Sequence, residues 1–163
     1  PGPALKLLGA LAACPHARIT ACDDDTLYGD GWLSALEEAG TGRIATTGAG
    51  WSVTRLKRPG CAPPATDIAQ GFSGLSITPA MFGPEVFNIP EVAWPVDDIW
   101  FSGHLAQRGI PIHAVPAART LCTPLDRPAA LQSAQDLPDR ATANAATALW
   151  FNDRYGIWPP QLL

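Results

Sequence analysis

The segment Arg18-Ile19-Thr20-Ala21-Cys22-Asp23-Asp24-Asp25 constrains this chain more than any other. A short apolar strand runs straight into three carboxylates. Tyr28 and then Trp32-Leu33 follow, opening a helix. Adjacent like charges at a strand end repel and raise one another's pKa. A solvated turn is one way to carry them, since Asp is common in turns and caps helices well. A hard divalent cation is the other, because carboxylate oxygens are the ligands that Mg²⁺ or Mn²⁺ prefers. Such a cation, held only partly by protein, completes its shell with substrate phosphates. The place at a strand's carboxyl end, where open α/β sheets bind ligands, turns the balance toward a metal–diphosphate site.

The rest of the chain alternates between helix-like and strand-like patterns. Residues 4–13 carry Leu5, Leu8 and Leu11 at helical spacing with Leu7 beside them, and Pro15 ends that helix. Asp30 is placed to cap a helix from Gly31 to Ala39, with Leu33 and Leu36 inward and Gly40 as the stop. Arg43–Thr47 reads as a strand and residues 57–70 as a proline-rich loop. Gly71–Ile77 reads as a glycine-bearing turn into a buried strand. Pro79–Phe82 is a helical turn, and Ile89–Pro95 is irregular. Val96-Asp97-Asp98 leads a helix to Arg108 with Gly109 as its cap. Ile112–Val115 is a strand, 116–138 a loop-rich stretch, and Arg140–Arg154 a helix. Alternation of this kind predicts an α/β fold with a mostly parallel sheet flanked by helices.

Composition narrows the function. A length of 163 residues suits one domain, 1–163, with 116–163 as a C-terminal loop and helix extension. Apolar content of 47% against 16% charged describes a chain that folds. Net charge is −4 with 11 scattered basic residues, which argues against a nucleic-acid surface. The same scatter offers no basic phosphate clamp. No apolar run approaches the ~18 residues of a membrane span, and the run Ala4–Cys14 lacks the features of a signal peptide. Cys14, Cys22, Cys61 and Cys122 have no paired short spacing, so zinc ribbons and CxxC redox motifs are excluded and reduced thiols in a cytoplasmic setting are expected. Cys22 is expected to be buried as a small hydrophobe.

A second acidic pair, Asp97-Asp98, heads the helix that continues Ile99-Trp100-Phe101. Helix capping with a dipole contribution of ~0.3–1 kcal/mol explains one Asp. A general base explains the other: a carboxylate within ~3 Å of an acceptor hydroxyl, ionised at a pKa near ~4, takes the proton as that hydroxyl attacks. His113, on a strand, is either a third metal ligand or a satisfied structural histidine. His104 and His16 are expected at the surface. The stretch Gly71, Ser73 and Gly74 either lets a sugar approach the backbone or forms a turn or bulge. Of six Trp, most belong to the core, and Trp94, just before the acidic pair, is placed in an acceptor pocket.

The blocks ITACDDDTLYGDGWLSAL, GFSGLSITPAMF and VDDIWFSGHLAQRGIPIHAVP resemble, in this order, the motifs of a bacterial family 2-like glycosyltransferase of the GT-A fold. The likeness spans residues 4–115. It implies a partial GT-A (Rossmann-like) fold, a nucleotide-sugar donor such as a UDP-sugar, and Mn²⁺ or Mg²⁺. Asp23 and Asp25 would be the outer acids of the DxD motif, Asp25 the direct metal ligand, Asp23 on the metal or the donor ribose, and Asp24 between them in the donor site. Asp98, or Asp97 in second place, would be the base. Lys6 would lie near the donor phosphates or else be a solvated helix lysine. GT-A proteins carry about a hundred residues before the DxD motif, including the nucleobase-binding strands, whereas 22 precede Asp23, so the resemblance implies the C-terminal part of a transferase.

The function expected is metal-dependent transfer of a sugar to an acceptor hydroxyl, on a carbohydrate or another alcohol. Two alternatives stand beside it: a non-catalytic sugar-binding or scaffolding fragment with a vestigial metal site, and a metal-dependent nucleotidyl- or phosphotransferase.

Overall fold

The computed structural model describes residues 4–125 and 140–161. Among them the order is α1 (Leu5–Ala13), β1 (Ile19–Ala21), β2 (Thr26–Tyr28), α2 (Trp32–Ala39), β3 (Ala45–Thr47) and β4 (Gly50–Trp51). There follow β5 (Ala65–Thr66), β6 (Ile68–Ala69), β7 (Leu75–Ile77), α3 (Asp97–Gln107), β8 (Ile112–Ala114), α4 (Pro116–Thr120), β9 (Cys122–Pro124) and α5 (Arg140–Tyr155). Five strands form one sheet in the order β1-β7-β3-β8-β5, while β2 pairs with β9 and β4 with β6.

The fold is mixed α/β, but the sheet is not mostly parallel. Only β3 and β8 run parallel; β1–β7, β3–β7 and β5–β8 are antiparallel. The connection from β3 to β7 explains the difference. It contains short strands and 3-10 turns but no α-helix, and a parallel return needs a long crossover, usually helical. Two of those short strands, β5 and β6, lie inside the stretch expected to be loop, and α4 and β9 lie inside the loop-rich stretch from 116. Residues 126–138 of that stretch lie outside the described residues.

Helix faces are set by burial. In α1 the inward residues are Leu7 and Leu11, preceded by Ala4, whereas Leu5 is exposed. The stripe is therefore Ala4/Leu7/Leu11 and not Leu5/Leu8/Leu11; the two share Leu11 and helical spacing. In α2 the buried pair is Trp32 and Leu36, and Leu33 faces out. Its N-cap is Gly31, in the left-handed region at φ 85°, with no side-chain cap, so Asp30 does not cap this helix. Glycine takes that φ without the Cβ penalty that other residues meet.

The main core joins α1, α3 and α5 to one face of the sheet through Leu7, Leu11, Ala45, Ile77, Ile112 and Phe151. Thr46, next to Ala45 and so on the opposite face, donates its hydroxyl to Leu36 O of α2 at 2.8 Å. Helix α3 is the axle of the molecule. Ile99, Trp100 and Leu105 are fully buried, Trp100 Nε1 donates to Val86 O at 2.9 Å, and Ala69 N donates to Ser102 Oγ at 3.0 Å. Gly103 lets α5 close onto α3, since a Cβ there would run into the Phe151 ring. This packing fixes the α3 N-terminus, which carries Asp97 and Asp98.

Two expected exposures are reversed. His104 is fully buried against Trp100 and Phe151 rather than at the surface, because the α3 face opposite the sheet is covered by α5. Cys22 is exposed, because β1 ends at Ala21 and the chain has already turned outward. Among the described residues no helix is long and apolar enough to cross a membrane.

Candidate active site

The acidic triplet leaves β1 in a turn held from behind. Tyr28 Oη accepts from Asp23 N at 3.0 Å and stands 3.0 Å from Phe72 O, to which it donates. Burial pushes the Tyr28 hydroxyl up to about 12, so it stays a neutral donor. Leu125 N donates to Asp25 O at 2.7 Å, which docks the end of β9 on the same turn. The triplet is thus pinned to the Gly71 turn on one side and to β9 on the other.

Asp97 and Asp98 do not cap α3. The N-cap position is Val96, and no side chain accepts a cap hydrogen bond there. Their carboxylates are engaged elsewhere. Gly71 N donates to Asp98 Oδ1 at 3.0 Å, Arg140 Nη2 lies 3.8 Å from Asp98 Oδ2, and Lys6 Nζ lies 3.6 Å from Asp97 Oδ2. Lys6 Nζ also forms an ion pair with Asp23 Oδ1. A single ammonium therefore bridges the two acidic clusters. Burial alone would lower the Lys6 pKa; the hydrogen bond to Asp23 and the charges of Asp97, Asp23 and Asp98 outweigh it and raise it.

Gly71 sits where the clusters meet. An ideal Cβ on it would lie 3.3 Å from Asp98 Oδ1, 3.4 Å from Lys6 Nζ and 3.5 Å from Asp23 Oδ1. The other residues of that turn lie behind it. Ser73 is fully buried, its hydroxyl donating to Gln70 O at 2.9 Å and accepting from Ala49 N at 2.7 Å. Gly74, at φ 94°, packs against the Trp32 ring, and Trp32 Nε1 donates to Ser73 O at 3.0 Å. Gly71 is thus hemmed in by the two acidic clusters and Lys6, while Ser73 and Gly74 hold the turn.

Asp23, Asp25 and Asp98 line one cleft of about 680 Å³. Burial, and next the neighbouring Asp97, push the Asp98 pKa up to about 7; Gly71 N, Arg140 and Lys6 pull against that rise. The carboxyl differs in this from the ordinary value of near ~4 expected of it. Its side chain keeps 22% of its surface open. A desolvated, reachable carboxylate poised near neutrality is what proton abstraction asks for.

Arg55, Arg119 and Arg140 line the same cleft. Residues 55, 119 and 140 are far apart in sequence and come to this cleft only in the fold. Trp51, half-buried, also lines it, whereas Trp94 is exposed and does not. Asp24 is exposed and lies off the cleft lining. His113 lies on β8, paired with Thr46 and Ala65, and is likewise not among the lining residues. His16 is exposed. A second groove, of about 450 Å³ between Glu91-Val92 and the Thr142–Ala146 face of α5, brings together no comparable set of charges.

The donor set can be tested against a divalent cation. Among the described residues no group of three or more His, Cys, Asp or Glu is placed to hold a metal ion. Asp23 and Asp25 both line the cleft, and Lys6 takes one oxygen of Asp23. One or two carboxylates plus substrate phosphates are the ordinary Mg²⁺ arrangement, so by donor chemistry alone two aspartates on this cleft fit a cation only if a phosphate-bearing ligand completes its shell. Comparison of the chain with protein-family models, with curated proteins and with solved structures returns no match.

Proposed function

We propose that this chain is a metal-dependent glycosyltransferase domain of partial GT-A type, transferring a sugar from a nucleotide-sugar donor, a UDP-sugar by resemblance, to an acceptor hydroxyl. The observation that carries the reading is the shared cleft: Asp98, uncapped and raised to about 7, opens on the space that Asp23 and Asp25 border. Its neighbours, Gly71 N and Arg140, hold it in place.

Each residue has a role in this reading. Asp98 accepts the proton of the acceptor hydroxyl as oxygen attacks the anomeric carbon. Gly71 N fixes the Asp98 Oδ1 lone pair, leaving the other oxygen to Arg140 and the acceptor. Asp97 stays paired with Lys6 and sets the local field. Asp25, with Asp23, would hold Mn²⁺ or Mg²⁺, and the ion would supply charge stabilisation for the departing diphosphate. Lys6 keeps Asp23 and Asp97 together, a structural duty distinct from the phosphate contact that the resemblance implies.

The test is turnover of UDP-sugars with Mn²⁺, with calorimetric titration of the ion. Asp25→Ala is expected to abolish cation binding at the cleft, and Asp98→Asn to abolish transfer while leaving cation binding intact. Unchanged metal affinity in Asp25→Ala, or unchanged turnover in Asp98→Asn, would remove that residue from its role. The arginines lining the cleft also favour a second reading, a nucleotidyl- or phosphotransferase. Consumption of a nucleoside triphosphate in preference to a nucleotide-sugar would select it.

A further inference from the structure

We propose that Arg55 and Arg119 form a two-point clamp for phosphate groups in this cleft, separate from the carboxylates Asp23 and Asp25. The proposal rests on the transferase reading only for the source of the phosphates. It begins with charge pairing. Of the acids lining the cleft, Asp23 is paired with Lys6, Asp98 is faced by Arg140, and Asp25 is the one the transferase reading gives to the cation. Among the described residues, Arg55 and Arg119 have no carboxylate within ion-pair distance, yet both line the same space. Two guanidinium groups lining one cleft without acidic partners among the described residues would suit an anion of about two charges.

Their orientation supports this more than their charge. The Arg119 guanidinium lies over the Phe72 ring, 5.1 Å from its centroid, and Nη1 donates to Cys122 O at 3.2 Å. Arg55 lies over the Trp51 ring at 5.9 Å. Stacking limits where each planar fork can point, and Arg119 has a backbone bond besides, while the other donors stay open. A fork with paired N–H groups matches the oxygens of a phosphate bidentately, which an ammonium cannot do. Arg119 is also tied to the cation end: it belongs to the segment that leads into β9, and Leu125 after β9 holds the Asp25 backbone. A phosphate chain running from Asp25 past Arg119 would thus meet cation and guanidinium in succession.

The shared chemistry is a phosphate-bearing ligand, and its source is either the donor's diphosphate or a phosphorylated acceptor. The experiment measures binding of inorganic pyrophosphate to the full chain in EDTA, by calorimetry, for the wild type, Arg55→Gln, Arg119→Gln, the double variant and Arg43→Gln as control. Arg43 is exposed and lies off the cleft lining. Metal-free binding by the wild type is expected, with about a tenfold loss for each single variant, a larger loss for the double variant, weakening with salt, and no change in the control. Absence of binding by the wild type, or equal affinity in the double variant with its melting curve unchanged, overturns the clamp. Competition between pyrophosphate and UDP supports the clamp with the donor as source. Competition with a hexose phosphate but not with UDP supports it with the acceptor as source. The two proposals fail separately. Full UDP-sugar turnover by a double variant of unchanged pyrophosphate affinity sinks the clamp alone. Pyrophosphate binding by a wild type that turns over no nucleotide-sugar sinks the transferase reading alone.

Discussion

Acidification should strain the α3–α5 seam through His104. The imidazole is fully buried, and neither Nδ1 nor Nε2 has a hydrogen-bond partner among the described residues. Trp100 stands 4.3 Å away, Phe151 5.3 Å and Tyr155 6.2 Å, centroid to centroid. The Tyr155 hydroxyl, itself unpartnered among the described residues, offers no relief. Burial lowers the His104 pKa from 6.5 to about 4; Glu85 opposes the shift and Arg108 adds to it. The folded state therefore binds this proton less readily than the unfolded chain. Stability from the neutral imidazole is complete above pH 6.5 and is lost progressively as pH falls toward 4. A difference of about 2.5 units is worth about 3 kcal/mol at the acid end, a large share of the ~5–15 kcal/mol of an ordinary domain. The assay is urea unfolding of the wild type and His104→Phe at pH 7, 5.5 and 4. The ring substitution removes two unsatisfied nitrogens from an apolar site, which is close to neutral or stabilising at pH 7. The difference between the two proteins should then widen by about 3 kcal/mol on going to pH 4. Parallel pH curves would refute the reasoning, since every other titrating group is the same in both.

Four further outcomes are expected. The turnover of the wild type should rise as pH increases through about 7, because Asp98 acts only when deprotonated; Asp98→Asn should cut turnover by about 10²–10⁴-fold while raising the melting temperature at pH 8, where the wild type carries an ionised carboxyl that burial disfavours. Gly71→Ala should lose most of that turnover with little loss of stability, because its methyl meets Asp98 Oδ1 and Lys6 Nζ at 3.3–3.4 Å in a half-exposed turn. Lys6→Met, read by thermal melting, should destabilise by about 2 kcal/mol, the cost of unpairing the buried Asp97 discounted for the exposure of Lys6 itself. Gly103→Ala should cost about 1–3 kcal/mol in chemical denaturation through overpacking against Phe151.

Local pattern marked most of the helices and the strands β1, β3, β7 and β8, since each is bounded by Pro, Gly or a charge step that acts within a few residues. Strand direction was not marked, because pairing is decided by what connects two strands over tens of residues. The two acidic clusters were visible as clusters. Their meeting was not, for Asp23 and Asp97 are joined by Lys6, a residue whose sequence context is that of any amphipathic helix. Capping is a sound local explanation for one of Asp97-Asp98, and it fails because Gly71 N and Lys6, brought in by the fold, take those oxygens in place of the α3 amides. The arginines were unreadable for the same reason as the lysine: a set of charges spread over 85 positions has no local signature. His104 and Leu33 show the other limit, that spacing gives the shape of a helix face but not its rotation.

Lys6 and Leu7 are chain neighbours with opposite duties, one holding the charge balance of the cleft and the other filling the hydrophobic interior. Successive helical residues are about 100° apart. A slip of one residue in how α1 seats would carry the ammonium into oil and leave two carboxylates facing each other bare. Correct seating of this short helix is therefore enforced twice over, once by grease and once by charge, and the cleft cannot assemble around a helix docked out of phase.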